Sequence, residues 1–350
     1  MVAAAADSRS YARFPVLIFT GRNQELTAAL GVSINATTPA ALDAMDIPAK
    51  CRQENSPLDM VYWEGWSADD PTCPVERFSA EYNECRATAP MVRLRDDAPV
   101  CALGGLIYMV GGHDDVTCLS SVEKYDPETN LWSGDAAPLS RPRSKVCLVQ
   151  MEGYLYALGG HDGTTCTNTV ERYDPSQNMW MKLPPMRTRR SGAAAAVLGG
   201  HLYVMGGSDD DGPLNSVERY SPLDGCWTTC PPMHTPRENP GCAVFLGHIY
   251  VAGGRDELLL ELSTAERFDP ENFSWSPVKC MNSKRHQVSL MVFNGSLLAV
   301  GGSDGITNLK TMERYDHETN SWRHFGSTKS RHPGGHVVLV KAVSNIASIC

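Results

Sequence analysis

The sequence predicts an all-β protein: a six-bladed β-propeller closed by a C-terminal strand and preceded by an irregular N-terminal segment. The first observation is a pair of glycines that recurs at steps of 48, 47, 47 and 48 residues. The second is a Glu-Arg-Tyr-like element after each pair, as in GGHDGTTCTNTVERYDP at Gly159–Pro175. The third is a Trp seven residues after the aromatic residue of that element. A constant period of this length indicates equal units that stack on one another, because one unit cannot bury its own apolar faces.

The glycine pairs and the tryptophans are the structural positions of the repeat. The glycine pairs are Gly111-Gly112, Gly159-Gly160, Gly206-Gly207, Gly253-Gly254 and Gly301-Gly302. The tryptophans are Trp132, Trp180, Trp227, Trp275 and Trp322. We expect the glycines to let backbone segments pack where a side chain would crowd. Each Trp, with the aromatic residue before it, is expected to fill the space between neighbouring blades.

Each unit divides into four short strands. In the fourth unit these are SGAAAAVL, HLYVMGG, NSVERYS and CWTTCPP, separated by turn and loop signals. The first connection is a tight turn in several units, such as MEGY at Met151–Tyr154 and LGGH at Leu198–His201, where Gly can take positive φ. This pattern predicts an up-and-down antiparallel sheet in every unit, and six such sheets arranged around an axis form a propeller.

The first unit is a degenerate copy of the repeat. Glu64-Gly65 stands in place of the glycine pair, Glu76-Arg77-Phe78 keeps the second element, and Cys85 occupies the position of the Trp. We expect Cys85 to weaken this blade, because a buried Trp contributes roughly 4 to 5 kcal/mol of apolar burial in gross terms. The unit also lacks its first strand. The segment GGHVVLVKAV near the C-terminus is expected to supply that strand and remove two open sheet edges.

The first and last strands of the repeats set the predicted domain boundaries. Residues 1–57 form an N-terminal segment that we predict to be mostly disordered or linker, with one short helix allowed at Asn23–Leu30. Residues 58–343 form the propeller, and 344–350 a C-terminal tail.

Composition excludes several classes of partner. The chain carries 31 Lys and Arg against 40 Asp and Glu, a net charge of −9, which disfavours nucleic acid and anionic membranes as partners. No apolar run approaches the roughly 20 residues of a membrane helix, and no secretory signal is recognisable. The twelve cysteines are scattered without a C-x-x-C pair. These features predict a cytoplasmic location, also compatible with the nucleus, and reduced thiols.

Neither a catalytic nor a metal site emerges from the sequence. No G-x-S-x-G elbow, phosphate loop or paired-carboxylate constellation stands out from the repeats. His332 and His336 form H-x-x-x-H, but on a strand this spacing separates them by about 13 Å. We therefore predict a protein that is not an enzyme and that has no metal or cofactor.

The combination of glycine pair, Glu-Arg-Tyr-Asp-Pro and Trp resembles the kelch repeat. Among kelch proteins the sequence resembles the BTB-BACK-kelch substrate adaptors, in strings such as GGHDGTTC, SVERYSP and LKTMERYD. The resemblance implies that the propeller binds a peptide or degron of a substrate protein, while BTB and BACK domains engage cullin-3 for ubiquitin transfer. Residues 1–57 are too few for those two domains. Cullin-3 is therefore expected as a partner only where a longer isoform or another protein supplies them. The alternative is a stand-alone scaffold or an actin-binding module.

The partner-binding residues are predicted on the long loops, because strand parity places two sets of loops at one end of the ring. The first set, after the second strand of each blade, begins with Trp66, His113, His161, Ser208, Arg255 and Ser303. The second set, between blades, supplies Arg95, Arg143, Arg190, Ser191, Arg237, Arg285, His286 and Arg331. The resemblance to the adaptors implies peptide contacts from these positions.

Two interpretations of the arginines stay open at this stage. Around a pore mouth they would attract carboxylates or phosphates through charge-assisted hydrogen bonds of roughly 1.5 to 3 kcal/mol each. Alternatively, several of them only cap strand ends or pair with acidic neighbours. Trp66 would add an apolar anchor of the kind found at interaction hot spots.

Overall fold

The computed structural model describes residues 58–63, 75–79, 84–328 and 336–341. The predicted N-terminal segment, the C-terminal tail, and the site residues Trp66 and Arg331 lie outside these residues. All of the described residues belong to one compact unit, Leu58–Cys350.

The described residues form six four-stranded antiparallel sheets and no helix, and we number the sheets as blades in chain order. Blade 1 contains β1 (Leu58–Trp63), β2 (Val75–Ser79), β3 (Glu84–Ala87) and β24 (Val337–Lys341). Blade 2 contains β4 (Val100–Leu103), β5 (Leu106–Val110), β6 (Val122–Asp126) and β7 (Leu131–Ser133). Blade 3 contains β8 (Cys147–Met151), β9 (Tyr154–Leu158), β10 (Val170–Asp174) and β11 (Met179–Leu183).

The remaining blades follow the same meander. Blade 4 contains β12 (Ala194–Leu198), β13 (His201–Met205), β14 (Val217–Ser221) and β15 (Cys226–Cys230). Blade 5 contains β16 (Gly241–Phe245), β17 (His248–Ala252), β18 (Ala265–Asp269) and β19 (Ser274–Val278). Blade 6 contains β20 (Ser289–Phe293), β21 (Ser296–Val300), β22 (Thr311–Asp316) and β23 (Ser321–Ser327).

The first strands of the blades face one another around a common axis. Strands β4, β8, β12, β16, β20 and β24 each contact the next in this order, and β24 contacts β4 in turn. Strand β24 pairs antiparallel with β1, with Tyr62 opposite Val337 and Leu58 opposite Lys341. In β2 and β3, Cys85 lies opposite Phe78, the register at which blade 2 pairs Trp132 with Tyr125.

Aromatic residues connect each blade to its neighbour. Within blade 4 the rings of Tyr220 and Trp227 lie 5.2 Å apart, and the Trp227 Nε1–H donates to the carbonyl of Pro184 in the preceding connection at 2.9 Å. Equivalent hydrogen bonds are made by the other tryptophans: Trp132 to Ala89, Trp180 to Ala137, Trp275 to Pro231 and Trp322 to Lys279. Each Trp therefore packs within its own blade and donates a hydrogen bond across the blade junction.

Replacing Trp227 by Ala is expected to lower the free energy of unfolding by about 3–5 kcal/mol, because Trp227 is buried and the Pro184 carbonyl loses its donor. Chemical denaturation measures this loss. Trp227→Phe keeps an aromatic ring in the packed position but loses the N–H donor, and it is expected to lose clearly less stability, so equal losses in the two variants would contradict the packing role.

The glycine pairs bring two backbones into contact. A side chain at Gly159 would place its Cβ 2.2 Å from the carbonyl oxygen of Arg190 in the following connection, and the residue has φ +59°. The N–H of Gly160 donates to that same oxygen at 2.8 Å. Only Gly fits such a position, because both the left-handed backbone and the close approach exclude a Cβ.

Candidate functional site

Two sets of long loops lie at one end of the blades, and we call this end the loop face. It comprises the segments after the second strands, 111–121, 159–169, 206–216, 253–264 and 301–310, and the blade connections 88–99, 134–146, 184–193, 231–240 and 279–288. Backbone hydrogen bonds join the two sets, as from Gly112 N–H to the Arg143 carbonyl and from Arg143 N–H to the Leu119 carbonyl, both 2.9 Å. The two-residue turns, such as 199–200, lie at the opposite end.

Arg143, Arg190, Arg237 and Arg285, predicted as ligand contacts or as partners of acidic neighbours, lie inside the protein with at most 1% of their surface exposed, which matches the second interpretation. The Nη1 of Arg190 donates to the carbonyls of Gly206 and Ser216, both at 2.9 Å, and its Nη2 lies 2.9 Å from Glu218 Oε1. Arg95 makes the corresponding contacts. The guanidinium therefore ties a blade connection to the glycine pair and the third strand of the next blade.

The Glu of each Glu-Arg-Tyr element completes this arrangement. In blade 4, Glu218 also accepts backbone N–H groups from Arg187 at 2.7 Å and Thr188 at 3.0 Å. Burial acts to raise the pKa of Glu218, but the hydrogen bonds from Arg190 and from the Arg187 N–H outweigh it and hold the pKa below its usual value. The same pairing recurs as Arg95–Glu123, Arg143–Glu171, Arg237–Glu266 and Arg285–Glu313. These carboxylates fix the loop-face backbone and are not ligand groups.

Ser191 and His286, also predicted as ligand contacts, are buried, and their side chains bond to neighbouring protein groups. The Ser191 hydroxyl oxygen accepts a hydrogen bond from the Cys166 thiol at 3.4 Å. The His286 Nε2 lies 3.1 Å from the side-chain nitrogen of Asn239. Burial lowers the pKa of His286 to about 4, with help from Arg255 and Lys145, so its ring is neutral at pH 7.

Acidification is expected to destabilise the protein through His286. Its folded pKa is depressed, so the unfolded chain binds the proton more tightly, and stability falls as pH drops from about 6.5 towards 4. Between pH 7 and 5 the loss is about 1–2 kcal/mol from this residue. Denaturation at both pH values, compared with His286→Gln, measures it. A variant that loses as much stability as the wild type would contradict the assignment.

The residues that begin the first loop set lie on the loop face. His113, His161, Ser208, Arg255 and Ser303 are partly exposed on the loop face. Each forms an isolated backbone bridge to the connection before its blade, and the partners are Asp96, Ser144, Ser191, Glu238 and His286 in that order. The five positions therefore share one backbone geometry and carry three kinds of side chain, His in blades 2 and 3, Ser in blades 4 and 6, and Arg in blade 5. This is how a repeated scaffold can display a specific surface.

Exposed cations that the sequence analysis did not single out lie on the blade connections. They are Arg93, Arg141, Arg187, Arg189 and Lys284. Arg93 pairs with Asp114, and the Arg189 Nη1 lies 3.9 Å from Asp210 Oδ2, with both of these side chains largely exposed. The available sequence signal was irregularity: the buried arginines recur once per unit, whereas the exposed cations shift position from unit to unit.

A ring of backbone hydrogen bonds surrounds the axis beneath the loop face. The N–H of Lys145 donates to Asp97, that of Gly192 to Lys145, that of Asn239 to Gly192 and that of Gln287 to Asn239, at 2.9–3.1 Å. All five residues have φ between 47° and 58°. Below them lies a cavity of about 200 Å³ lined by first-strand residues such as Cys147 and Cys242.

Within the described part of the chain, no three or more His, Cys, Asp or Glu side chains are grouped so as to hold a metal ion. Burial raises the pKa of the Cys101 and Cys242 thiols to about 12, which keeps them protonated and poorly nucleophilic. The described residues contain no helix that could span a membrane.

Curated proteins that resemble the chain are kelch-like proteins, matched over short segments. Kelch-like protein 4 of Homo sapiens is 41% identical over 58 residues, which is 17% of this chain and 8% of that protein. Kelch-like protein 23 of Mus musculus is 41% identical over 63 residues, 17% of this chain and 11% of that protein. Kelch-like protein 21 of Danio rerio is 37% identical over 65 residues, 18% and 11%. The matches thus span about a tenth of these relatives' length.

Fold and family comparisons extend over most of the chain. A solved structure named "Structure of YjhT" superposes with a TM-score of 0.67 at 16% identity, covering 76% of this chain and 94% of that one. This likeness concerns the fold alone, and with the sheets described above it confirms the predicted all-β propeller. The model of the KLHDC2/KLHL20/DRC7 Kelch-repeats domain matches residues 97–302 and 146–346. The chain belongs to this family of kelch-repeat domains.

Proposed function

We propose that this chain is a protein-interaction module that binds a peptide segment of another protein on the loop face. One observation carries the proposal: five blades place a partly exposed His, Ser or Arg side chain at the same bridged backbone position, beginning with His113 and ending with Ser303. Binding residues typically lie on loops positioned by a rigid scaffold. The buried Arg–Glu pairs supply that rigidity here, because each one fixes a blade connection through main-chain hydrogen bonds.

The loop face is suited to a polar peptide rather than a small molecule. Its exposed groups alternate in sign, with Asp114, Asp162 and Asp210 on the loops after the second strands. The exposed arginines, such as Arg141 and Arg189, lie on the connections before those loops. Such a surface offers charge-assisted hydrogen bonds to both acidic and basic side chains of a partner.

We further propose that the bound segment is a degron and that the chain is, or derives from, the recognition part of a cullin-3 ubiquitin ligase adaptor in the cytoplasm. The family of kelch-repeat domains and the resemblance of strings such as GGHDGTTC and LKTMERYD to kelch-like protein 20 support this role. The pairing of β24 with β1 supports a six-bladed ring as the scaffold.

Affinity capture from cells with paired charge reversals tests the binding proposal. Arg141→Glu with Arg189→Glu changes the loop face, where both side chains are exposed. Lys182→Glu with Arg323→Glu makes the same charge change on the outer strands β11 and β23. We expect the first variant to lose partners that the control keeps, at unchanged melting temperature. Identical partner lists from both variants would contradict a recognition role for this face.

The same capture tests the ligase role separately. Cullin-3 among the captured proteins, in cells that also express BTB and BACK domains of this family, supports the adaptor role. If proteins that depend on the loop face are captured without cullin-3, the binding proposal stands and the adaptor role does not. Actin as the partner lost from the loop-face variant would instead identify a cytoskeletal scaffold.

A further inference from the structure

The loop of blade 5 on the loop face differs from its counterparts in length and composition. In blades 2, 3, 4 and 6 the loop closes with a hydrogen bond from the seventh residue after the second Gly, as from Leu119 N–H to Gly112 O. In blade 5 the donor is the eighth residue, Leu262 to Gly254 at 2.9 Å. The extra residue falls within the segment Leu258–Leu260.

Three leucines at this tip face solvent. Leu258, Leu259 and Leu260 are between 50% and 73% exposed, and Ile306 on the loop of blade 6 is 91% exposed. Single exposed apolar residues are ordinary on protein surfaces, but neighbouring ones mark interaction sites. Leu259 also has φ +57°, a left-handed conformation that is unusual for a bulky side chain.

The two loop tips adjoin one another. The carboxylate of Glu261 lies so close to Gly305 that a Cβ there would be 2.5 Å from Glu261 Oε2. The other oxygen, Oε1, accepts from Arg255 Nε at 3.1 Å, which fixes the carboxylate between the loops. The leucines of blade 5 and Ile306 of blade 6 therefore lie on adjoining loop tips, and we call these four residues the leucine tip.

The leucine tip is held in a defined shape. Asp256 Oδ1 accepts the N–H groups of Leu258 at 2.9 Å and Leu260 at 3.0 Å, and the Leu259 N–H donates to the Asp256 carbonyl at 2.9 Å. In blade 6, Asp304 Oδ1 accepts from Ile306 at 2.9 Å. A preorganised apolar group loses little conformational entropy when a partner covers it, which favours its use as an anchor.

Charges around the leucine tip indicate what covers it. Four carboxylates, Asp256, Glu257, Glu261 and Asp304, surround it, whereas the nearby cations are Arg255, already paired with Glu261, and Lys284 on the connection between the blades. The local excess is negative. A complementary segment therefore carries bulky apolar side chains flanked by Lys or Arg.

We propose that the leucine tip anchors the segment bound on the loop face, and that this segment contains one or two bulky apolar residues flanked by basic residues. The inference rests on the proposed function, because it names the chemistry of the peptide bound at that face. It makes the junction of blades 5 and 6 the part of the loop face where affinity is concentrated.

Selection from a phage-displayed library of random 16-residue peptides tests the proposal, with the enriched peptides then measured by fluorescence polarisation. We expect apolar residues flanked by Lys or Arg, and at least a tenfold weaker affinity for Leu258→Ser with Leu260→Ser. The matched control is Leu223→Ser with Leu246→Ser, which removes two exposed leucines from the turns at the opposite end. The control should change affinity less than twofold, and all proteins should share the wild-type melting temperature.

Other outcomes distinguish a failure of the leucine tip from a failure of the proposed function. Peptides that lose affinity with Arg141→Glu and Arg189→Glu but not with the leucine variant would overturn the leucine tip and keep the proposed function. Peptides insensitive to every loop-face change would overturn both. Light scattering measures whether the protein associates with itself. If the wild type is a dimer and Leu258→Ser with Leu260→Ser is a monomer, the leucine tip is a self-association surface and the proposal is wrong.

Discussion

Arg190→Ala is expected to lower the free energy of unfolding by about 3–5 kcal/mol, because it leaves Glu218 charged, buried and unpaired. The carbonyls of Gly206 and Ser216 also lose their donor. The adjacent Arg189 is a matched control, because its side chain is 61% exposed. Its ion pair with Asp210 is long, at 3.9 Å, and open to solvent. Arg189→Ala should change stability by less than about 1 kcal/mol.

Urea denaturation of the two variants gives the comparison. A second variant, Arg190→Met with Glu218→Leu, removes both charges and should recover much of the loss, since replacing a buried ion pair by apolar residues is often close to neutral. A wild-type stability for Arg190→Ala, accompanied by loss of partners, would instead place this guanidinium in a binding site and contradict its structural role.

Removal of β24 is expected to abolish cooperative folding. Val338 and Val340 pack with Val61 and Val100, and Leu339 packs in a second cluster beside Met291. Val340 is buried and Val337, Val338 and Leu339 are half-buried, so their apolar burial contributes at most roughly 6–12 kcal/mol in gross terms, a large share of the 5–15 kcal/mol of net stability of a typical domain. The truncation also leaves β1 with an unpaired edge.

The control for this truncation is the chain ending at Lys341, which keeps β24 whole. Thermal unfolding followed by circular dichroism should show a wild-type transition for the control and no sharp transition, or aggregation, for the chain ending at Gly335. Equal melting temperatures would contradict a ring that is held closed by this strand.

Repeats made the architecture predictable from sequence. The strings HLYVMGG and NSVERYS of the fourth unit correspond to β13 (His201–Met205) and β14 (Val217–Ser221). This succeeds because alternating apolar residues and Gly turns at a constant period specify strands and stacking with little dependence on distant context.

The arginines show where sequence reasoning failed. Arg189 and Arg190 are neighbours of the same type, yet one is exposed and the other is buried against Glu218. Their orientation depends on tertiary packing, which composition does not encode. A signal was nevertheless available, because each buried Arg precedes a Glu by 28 or 29 residues, as Arg143 precedes Glu171 and Arg237 precedes Glu266. An Arg–Glu spacing that recurs in every one of these blades indicates a structural ion pair rather than a ligand contact.

The leucine tip could not be predicted for a different reason. A run such as LLLEL has the composition of a buried strand, and only the structure shows it at a loop tip. The extra residue between Gly254 and Leu262 was the sequence signal, since an insertion into a uniform repeat usually falls in a loop.

The central claim is that partners bind the loop face, and photo-cross-linking in cells tests it most directly. A photoreactive residue such as benzoylphenylalanine is placed at exposed positions of the loop face, 189 and 306, and at exposed turn positions of the opposite end, 223 and 246. Cross-linked protein partners at 189 and 306, and none at 223 and 246, are the predicted result. Partners trapped only at 223 or 246 would contradict a recognition surface on the loop face.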